Sequence, residues 1–142
     1  MWEYNGQEFT EDLIGKSIGF IYLITNLTNG RRYIGKKQFY SFTSSIKTVT
    51  LKSGEKKKKK VKKISESNWK DYYSSSIELN GDVELLGKDM FKREILYLVS
   101  TKGMMSYMEA KLQFQHEVLE HPDLWYNGTI QCRIHKSHVK ML

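Results

Sequence analysis

Two tyrosines that a short turn can bring side by side, and a glutamate with no cation three or four residues away on its helix, are the residues of this chain best placed to do chemistry. Tyr22 and Tyr33 lie on either side of Asn29-Gly30, in the stretch Gly19–Lys37. Apolar and β-branched residues run from Ile18 to Thr25, Gly30 accepts positive φ, and the chain returns through Tyr33-Ile34, a pattern that predicts a β-hairpin. Such a hairpin sets two phenols on neighbouring strands, although a tyrosine-bearing hairpin also serves plain core packing. Glu109 falls in a helix predicted over Gly103–Glu120, where its neighbours at three and four positions are Met105, Ser106, Leu112 and Gln113. A carboxylate beside an apolar stripe with no local cation needs compensation from a divalent ion, from a lysine of the sheet, or from water.

Other chemistries are excluded by what the chain lacks. It contains no HExxH, no Asp-x-Asp pair and no phosphate-binding P-loop, and His116, His121, His135 and His138 have no ligand spacing. Cys132 is the single cysteine, which rules out an intramolecular disulfide and a thiolate zinc site and predicts a reducing, cytoplasmic setting. No basic segment leads into an apolar run at the N-terminus and no long apolar stretch occurs, so a soluble protein with no membrane partner is expected. A net charge of +7 with 13% aromatic residues points instead to a polyanion, nucleic acid first among them. Lysines crowd at 56, 57, 58, 59, 60, 62 and 63, and Arg133 and Lys136 sit among histidines near the C-terminus. Taken alone, the lysine run reads as a solvated loop, an import signal or a phosphate-binding arm.

Length predicts one domain over residues 1–142, with a lysine-rich insertion at about 44–67 and a basic C-terminal tail. Thr48–Lys56 resembles an extended hairpin with a Ser-Gly turn, but so few aliphatics predict a mobile segment. Thr10-Glu11-Asp12 suits one helical turn, and Ser76 can cap a short helix that Asn80-Gly81 threatens to interrupt. Phe91–Val99 is the expected third strand, Pro122 the expected stop of the Gly103 helix, and Ile130–Ile134 alternates like a short strand. The fold class is therefore α/β: a small three-stranded sheet, the hairpin plus one further strand, flanked by helices.

Ile21-Tyr22 and Tyr33-Ile34-Gly35, with Asn-Gly between them, resemble the defining motif of the GIY-YIG endonucleases. Trp69–Ser76, Tyr107-Met108-Glu109-Ala110 and Tyr126-Asn127-Gly128 follow in the order of that family's later motifs, so the resemblance spans about Ile18 to Val139. It implies metal-dependent hydrolysis of DNA phosphodiesters, double-stranded DNA as partner, and a phage or mobile-element setting. It also implies that Glu109 holds one Mg²⁺ or Mn²⁺ ion, hard cations suited to oxygen ligands and retained waters. Tyr22 would be the general base or orient the attacking water, and Tyr33 would position a phosphate oxygen or assist proton transfer. Asn127 would either support the metal or serve only as a left-handed turn residue. An ordinary phenol is a poor base at neutral pH, so cations must lower its pKa, and Lys36 and Lys37 are the nearest. With a nucleic-acid substrate in view, Lys36, the run Lys56–Lys63, Arg133 and Lys136 become phosphate contacts.

One departure from the family stands out: no arginine occurs between Arg32 and Arg93, where members carry a helical arginine. Lys37, Lys70 or Arg93 must replace it, with Lys70 beside Tyr72 and Tyr73 the preferred substitute. The departure also sustains a rival reading, a nucleic-acid-binding module that has lost catalysis. A nuclease for RNA or branched DNA is a further alternative, and monomer or transient dimer are both open.

Overall fold

In the computed structural model, which describes residues 1–139, β3 (Gly19–Asn26) and β4 (Arg32–Gln38) form the expected hairpin, and β7 (Phe91–Val99) pairs antiparallel with the other side of β3. The end of the basic tail, residues 140–142, lies outside the described residues. Three strands is an undercount. β1 (Trp2–Tyr4) runs parallel to β7, β2 (Gln7–Glu8) folds back on β1, and the sheet has five strands in the order β2-β1-β7-β3-β4. The arm reads as polar because few of its residues face inward: Trp2 and Phe9 are buried, while Gln7 and Glu8 are exposed.

Alternation along β3 builds two cores. Phe20, Tyr22 and Ile24 join Trp2, Phe39 and Trp69 on the face covered by α1 (Ile77–Leu86), whereas Ile21 joins Ile34 and Val99 on the face covered by α2 (Lys102–Gln115). A strand buried on both sides needs an unbroken apolar run, as Gly19–Thr25 supplies. Ser76 caps α1 by accepting from the Leu79 N–H at 3.2 Å. The helix continues through Asn80-Gly81 because buried Leu79 and Val83 anchor it on either side, outweighing a glycine cost of about 1 kcal/mol. Thr101 caps α2, accepting from the Met104 N–H at 3.1 Å.

The second helix stops before the proline expected to end it. Glu117 adopts φ 51°, the Val118 N–H donates to the Gln113 carbonyl at 3.2 Å, and the Glu117 N–H donates to the Phe114 carbonyl at 3.1 Å. These are the paired bonds of a Schellman cap, and the fully buried Val118 pins it. No helix among the described residues is long and apolar enough to cross a membrane.

The predicted insertion is longer and more regular than its composition suggests. β5 (Tyr40–Thr50) and β6 (Lys56–Glu66) form a separate two-stranded ribbon that starts immediately after β4, and the turn between them has Gly54 at φ 85°. Cross-strand pairing over all eleven positions of each strand extends the hairpin expected around Thr48–Lys56, with its Ser-Gly turn. At about 3.3 Å per residue the ladder is roughly 36 Å long. The strand expected at Ile130–Ile134 does not form. The outer edge of β4 is taken instead by Leu124–Asn127: the Arg32 N–H donates to the Leu124 carbonyl at 2.9 Å, and the Tyr126 N–H donates to the Arg32 carbonyl at 2.8 Å.

Candidate active site

Because side chains alternate across β4, Tyr33, Gly35 and Lys37 point to the α1 face, and Ile34 and Lys36 to the α2 face. Tyr22 sits directly across from Gly35 in the β3–β4 register. A Cβ on Gly35 would lie 2.6 Å from the Tyr22 ring carbon that carries the hydroxyl and 2.8 Å from the Tyr33 ring. Glycine is therefore required so that the Tyr22 phenol can pass over β4 to the sheet's edge. There its ring lies 6.0 Å from that of Tyr33, nearly parallel, and 6.0 Å from that of Tyr72, edge-on.

Glu109 reaches the same edge from the other face. Its side chain is 13% exposed, and the Lys36 ammonium stands 3.8 Å from its carboxylate and 3.2 Å from the Ser106 hydroxyl. The compensating cation is thus a lysine of the sheet. Tyr22, Tyr33, Lys36, Tyr72 and Glu109 together line a cleft of about 190 Å³, closed by Ser75, Gln113, Thr129 and Gln131. The Tyr33 and Ser75 hydroxyls approach to 3.4 Å. Ser75 follows Ser74, a buried serine held at φ 137°, a strained conformation at the cleft margin.

Burial sets the electrostatics. It pushes the Tyr22 phenol well above its ordinary pKa, the Tyr72 and Tyr33 phenols adding to the effect, and it raises Tyr33 as well. The cations expected to lower these values do not: Lys37 is itself lowered by burial and lies 4.1 Å over the Tyr72 ring, a cation–π contact. Burial likewise raises the Glu109 carboxyl, with Lys36 opposing only in part. One lysine at 3.8 Å thus does not offset the burial of this carboxyl.

The donors fit a hard divalent ion. Glu109 and Gln113 are one helical turn apart and both face the cleft. The Gln113 amide N–H donates to the Ile34 carbonyl at 2.9 Å, which fixes the flip of the side chain, and its buried oxygen has no hydrogen-bond partner. A carboxylate and an orphaned amide oxygen suit an ion that takes oxygen ligands and keeps several waters. Among the described residues no group of three or more His, Cys, Asp or Glu offers an alternative centre.

Several expected site residues lie elsewhere. Lys70 turns away, because the 3-10 turn Trp69–Asp71 buries the Trp69 indole among Phe9, Phe20 and Phe39 and leaves the next side chain on the surface. Lys70 pairs there with Glu11, and with Glu66 at 3.4 Å. Arg93 is buried beneath the same loop, donating to the Lys70 and Tyr72 carbonyls at 3.0 and 2.9 Å. Of Lys37, Lys70 and Arg93, only Lys37 stands beside a residue of the cleft, over the Tyr72 ring. Asn127 is neither a left-handed turn residue nor part of the cleft wall. Its amide accepts from the Ile34 N–H at 3.1 Å and donates to the Ile34 carbonyl at 2.8 Å, mimicking a paired strand on the edge of β4.

Arg133 and Lys136 are exposed, the latter in a 3-10 turn that packs near the start of α2, and neither lines the cleft. Sequence reasoning does not single out Gln113, Ser75, Thr129 or Gln131. Only Gln113 carries a usable signal there, its position one turn beyond Glu109.

A family model described as "Putative endonuclease segE, GIY-YIG domain" matches residues 2–130. No curated protein and no solved structure matches the chain. With that match covering nearly the whole length, and with both motif tyrosines and the helical glutamate gathered at one sheet edge, the chain belongs to the GIY-YIG endonuclease family.

Proposed function

We propose that this protein hydrolyses phosphodiester bonds of double-stranded DNA with one Mg²⁺ or Mn²⁺ ion at Glu109. The observation that carries the reading is the convergence of Tyr22, Tyr33, Lys36 and Glu109 on one small cleft, from opposite faces of the sheet. A bound divalent ion would neutralise charge on the reacting phosphate, stabilise the leaving oxygen and lower the pKa of coordinated water. Glu109 would hold it, and the free oxygen of Gln113 would accept from one of its waters.

Tyr22 enters the reaction as a neutral phenol, because its burial disfavours phenolate. Its hydroxyl orients the attacking water in the manner of a fixed hydrogen-bond partner, and Tyr33, shared with Ser75, steadies a non-bridging phosphate oxygen. With an ion held at Glu109, the Lys36 ammonium would be free to turn its charge to the phosphate, with Lys37 next to it in the chain. The lysine run, Arg133 and Lys136 supply sequence-independent attraction for the polymer.

Incubating supercoiled plasmid with Mg²⁺ tests the reading directly. Nicking or linearisation by the wild type, abolished by chelator and by Glu109→Ala, is expected. Tight binding without any cleavage would favour the rival, a binding module whose missing arginine has cost it the reaction.

A further inference from the structure

The ribbon is not a one-sided basic patch. Direct pairing of Ser44 with Lys62, Ile46 with Lys60 and Thr48 with Lys58 places those lysines on one face, whereas Thr43 with Lys63, Lys47 with Lys59 and Val49 with Lys57 puts the others on the opposite face. Both faces are thus cationic. Neither is covered by the domain over most of its length: Ile46 on the first face is 72% exposed, and Thr43, Lys47, Lys57, Lys59 and Lys63 on the second are exposed as well. A ribbon meant to lie flat on a polyanion needs lysines on one face only.

The first face is also continuous with the candidate active site. Hollows that share Lys36 and Tyr72, then Lys102, then Ser44 and Lys60, lead from the Glu109 cleft past the root of the ribbon and out along it. Their walls carry Lys36, Lys37, Lys102, Lys62, Lys60 and Lys58 and, among the described residues, no carboxylate besides Glu109. By contrast, a separate hollow of about 610 Å³ beside the N-terminal arm sets Glu8, Glu11 and Asp12 against Lys70 and lacks a run of lysines.

A two-stranded ribbon fits the major groove of B-form DNA, which is about 12 Å wide and walled by a phosphate backbone on each side. We propose that the β5–β6 ribbon enters this groove, with Lys58, Lys60 and Lys62 holding the strand that runs on to Glu109 and Lys57, Lys59 and Lys63 holding the opposite strand. The inference rests on the duplex-DNA reading above. It assigns the ribbon a place, inside the groove between two backbones, and makes it the element that aims one strand at the cleft. The A-form groove of duplex RNA is too narrow and deep to admit it.

The test uses the full chain in chelator, so that nothing is cut, and measures anisotropy of a labelled DNA duplex across a salt series. Lys58→Ser/Lys60→Ser/Lys62→Ser and Lys57→Ser/Lys59→Ser/Lys63→Ser should each flatten the slope of log K against log salt by about 2 to 3, since each phosphate contact contributes about 0.9. Arginine at the same positions should keep the slope, which separates lost charge from a disturbed ribbon. Wild-type protein should displace methyl green, a major-groove ligand, and bind undisturbed by netropsin in the minor groove. Duplex RNA of the same sequence should compete weakly, and that preference should vanish in both serine variants.

A slope that changes for one face only, displacement of netropsin instead of methyl green, or equal competition by duplex RNA would each overturn groove entry. Plasmid cleavage assayed on the same preparations separates the two readings. Cleavage with no dependence on either face sinks this inference alone, whereas two-faced, groove-specific binding without cleavage supports it and sinks the hydrolase.

Discussion

The five-stranded sheet and the β5–β6 ribbon are built from the same kind of hairpin, yet they bury almost opposite things. In the sheet, Phe20, Tyr22, Ile24, Ile34 and Val99 are almost wholly inaccessible, and neighbouring aromatic rings approach to about 5 Å, as for Phe20 with Phe39. Such pairs add about 0.5–1.5 kcal/mol beyond the area they bury. In the ribbon, Phe42, Ile46 and Ile64 are exposed and Lys47 faces Lys59 directly, a like-charge pair that opposes the ladder. An isolated two-stranded hairpin is marginal in water. The contrast teaches that the sheet is stabilised by its own packing, whereas the ribbon has a paired backbone and little buried surface to hold it. The candidate active site lies at the boundary, where β4 leaves the sheet and the ribbon begins.

The sharpest way to break this division is at Glu109. Glu109→Ala should lower plasmid cleavage about a thousandfold or more while changing duplex affinity by no more than a few-fold, because the proposed ion would act on the reacting phosphate and the lysines would govern association. Wild-type cleavage by this variant would remove the metal assignment. Tyr22→Phe should cost about a hundredfold in single-turnover rate and less than about 1 kcal/mol in urea stability, the ring being kept. Unfolding of the variant, with full activity per folded molecule, would make Tyr22 a core residue and nothing more.

Two glycines compare the regions directly. Gly35→Ala drives a methyl group into the Tyr22 phenol and should cost about 1–3 kcal/mol by urea titration, together with most of the activity. Gly54→Ala strains a positive-φ turn where a Cβ would meet nothing within 4 Å, and should leave the sheet's unfolding midpoint unchanged. A global loss of stability from Gly54→Ala would show that ribbon and sheet fold as one unit.

A subtler effect follows from the raised Glu109 carboxyl. The folded, ion-free protein holds this proton more tightly than the unfolded chain does. Its stabilising effect is full below the ordinary carboxylate pKa and is lost as pH rises through the raised value. Glu109→Gln should therefore melt at a higher temperature than wild type at pH 7 in chelator, with the difference vanishing at acid pH. Saturating Mg²⁺ should raise the wild-type melting temperature and leave the Gln variant where it was.

Local rules make part of the site and of the fold legible in the chain. Tyr22, Tyr33 and Glu109 stand out through alternation in a hairpin and the absence of a cation three or four residues away on a helix. Phe91–Val99 declares itself a strand by composition, and Ser76 its helix by capping chemistry. Lys70 cannot be placed that way. Its direction follows from Trp69 being drawn into an aromatic cluster assembled from residues as distant as Phe9 and Phe39, a long-range preference that no window around residue 70 contains.

Sequence by itself determined the hairpin, the isolated carboxylate, the cationic excess and the family motifs, since each depends on neighbours in the chain or on composition. Tertiary structure alone decided which lysine meets Glu109. It also decided that Asn127 ties the edge of β4, that Gln113 presents an unpaired oxygen, and that the N-terminal arm completes the sheet. Those outcomes depend on which strand lies at an edge and what covers it. An edge is a property of the assembled sheet, created only when β3, β4 and β7 have paired and left one side of β4 open.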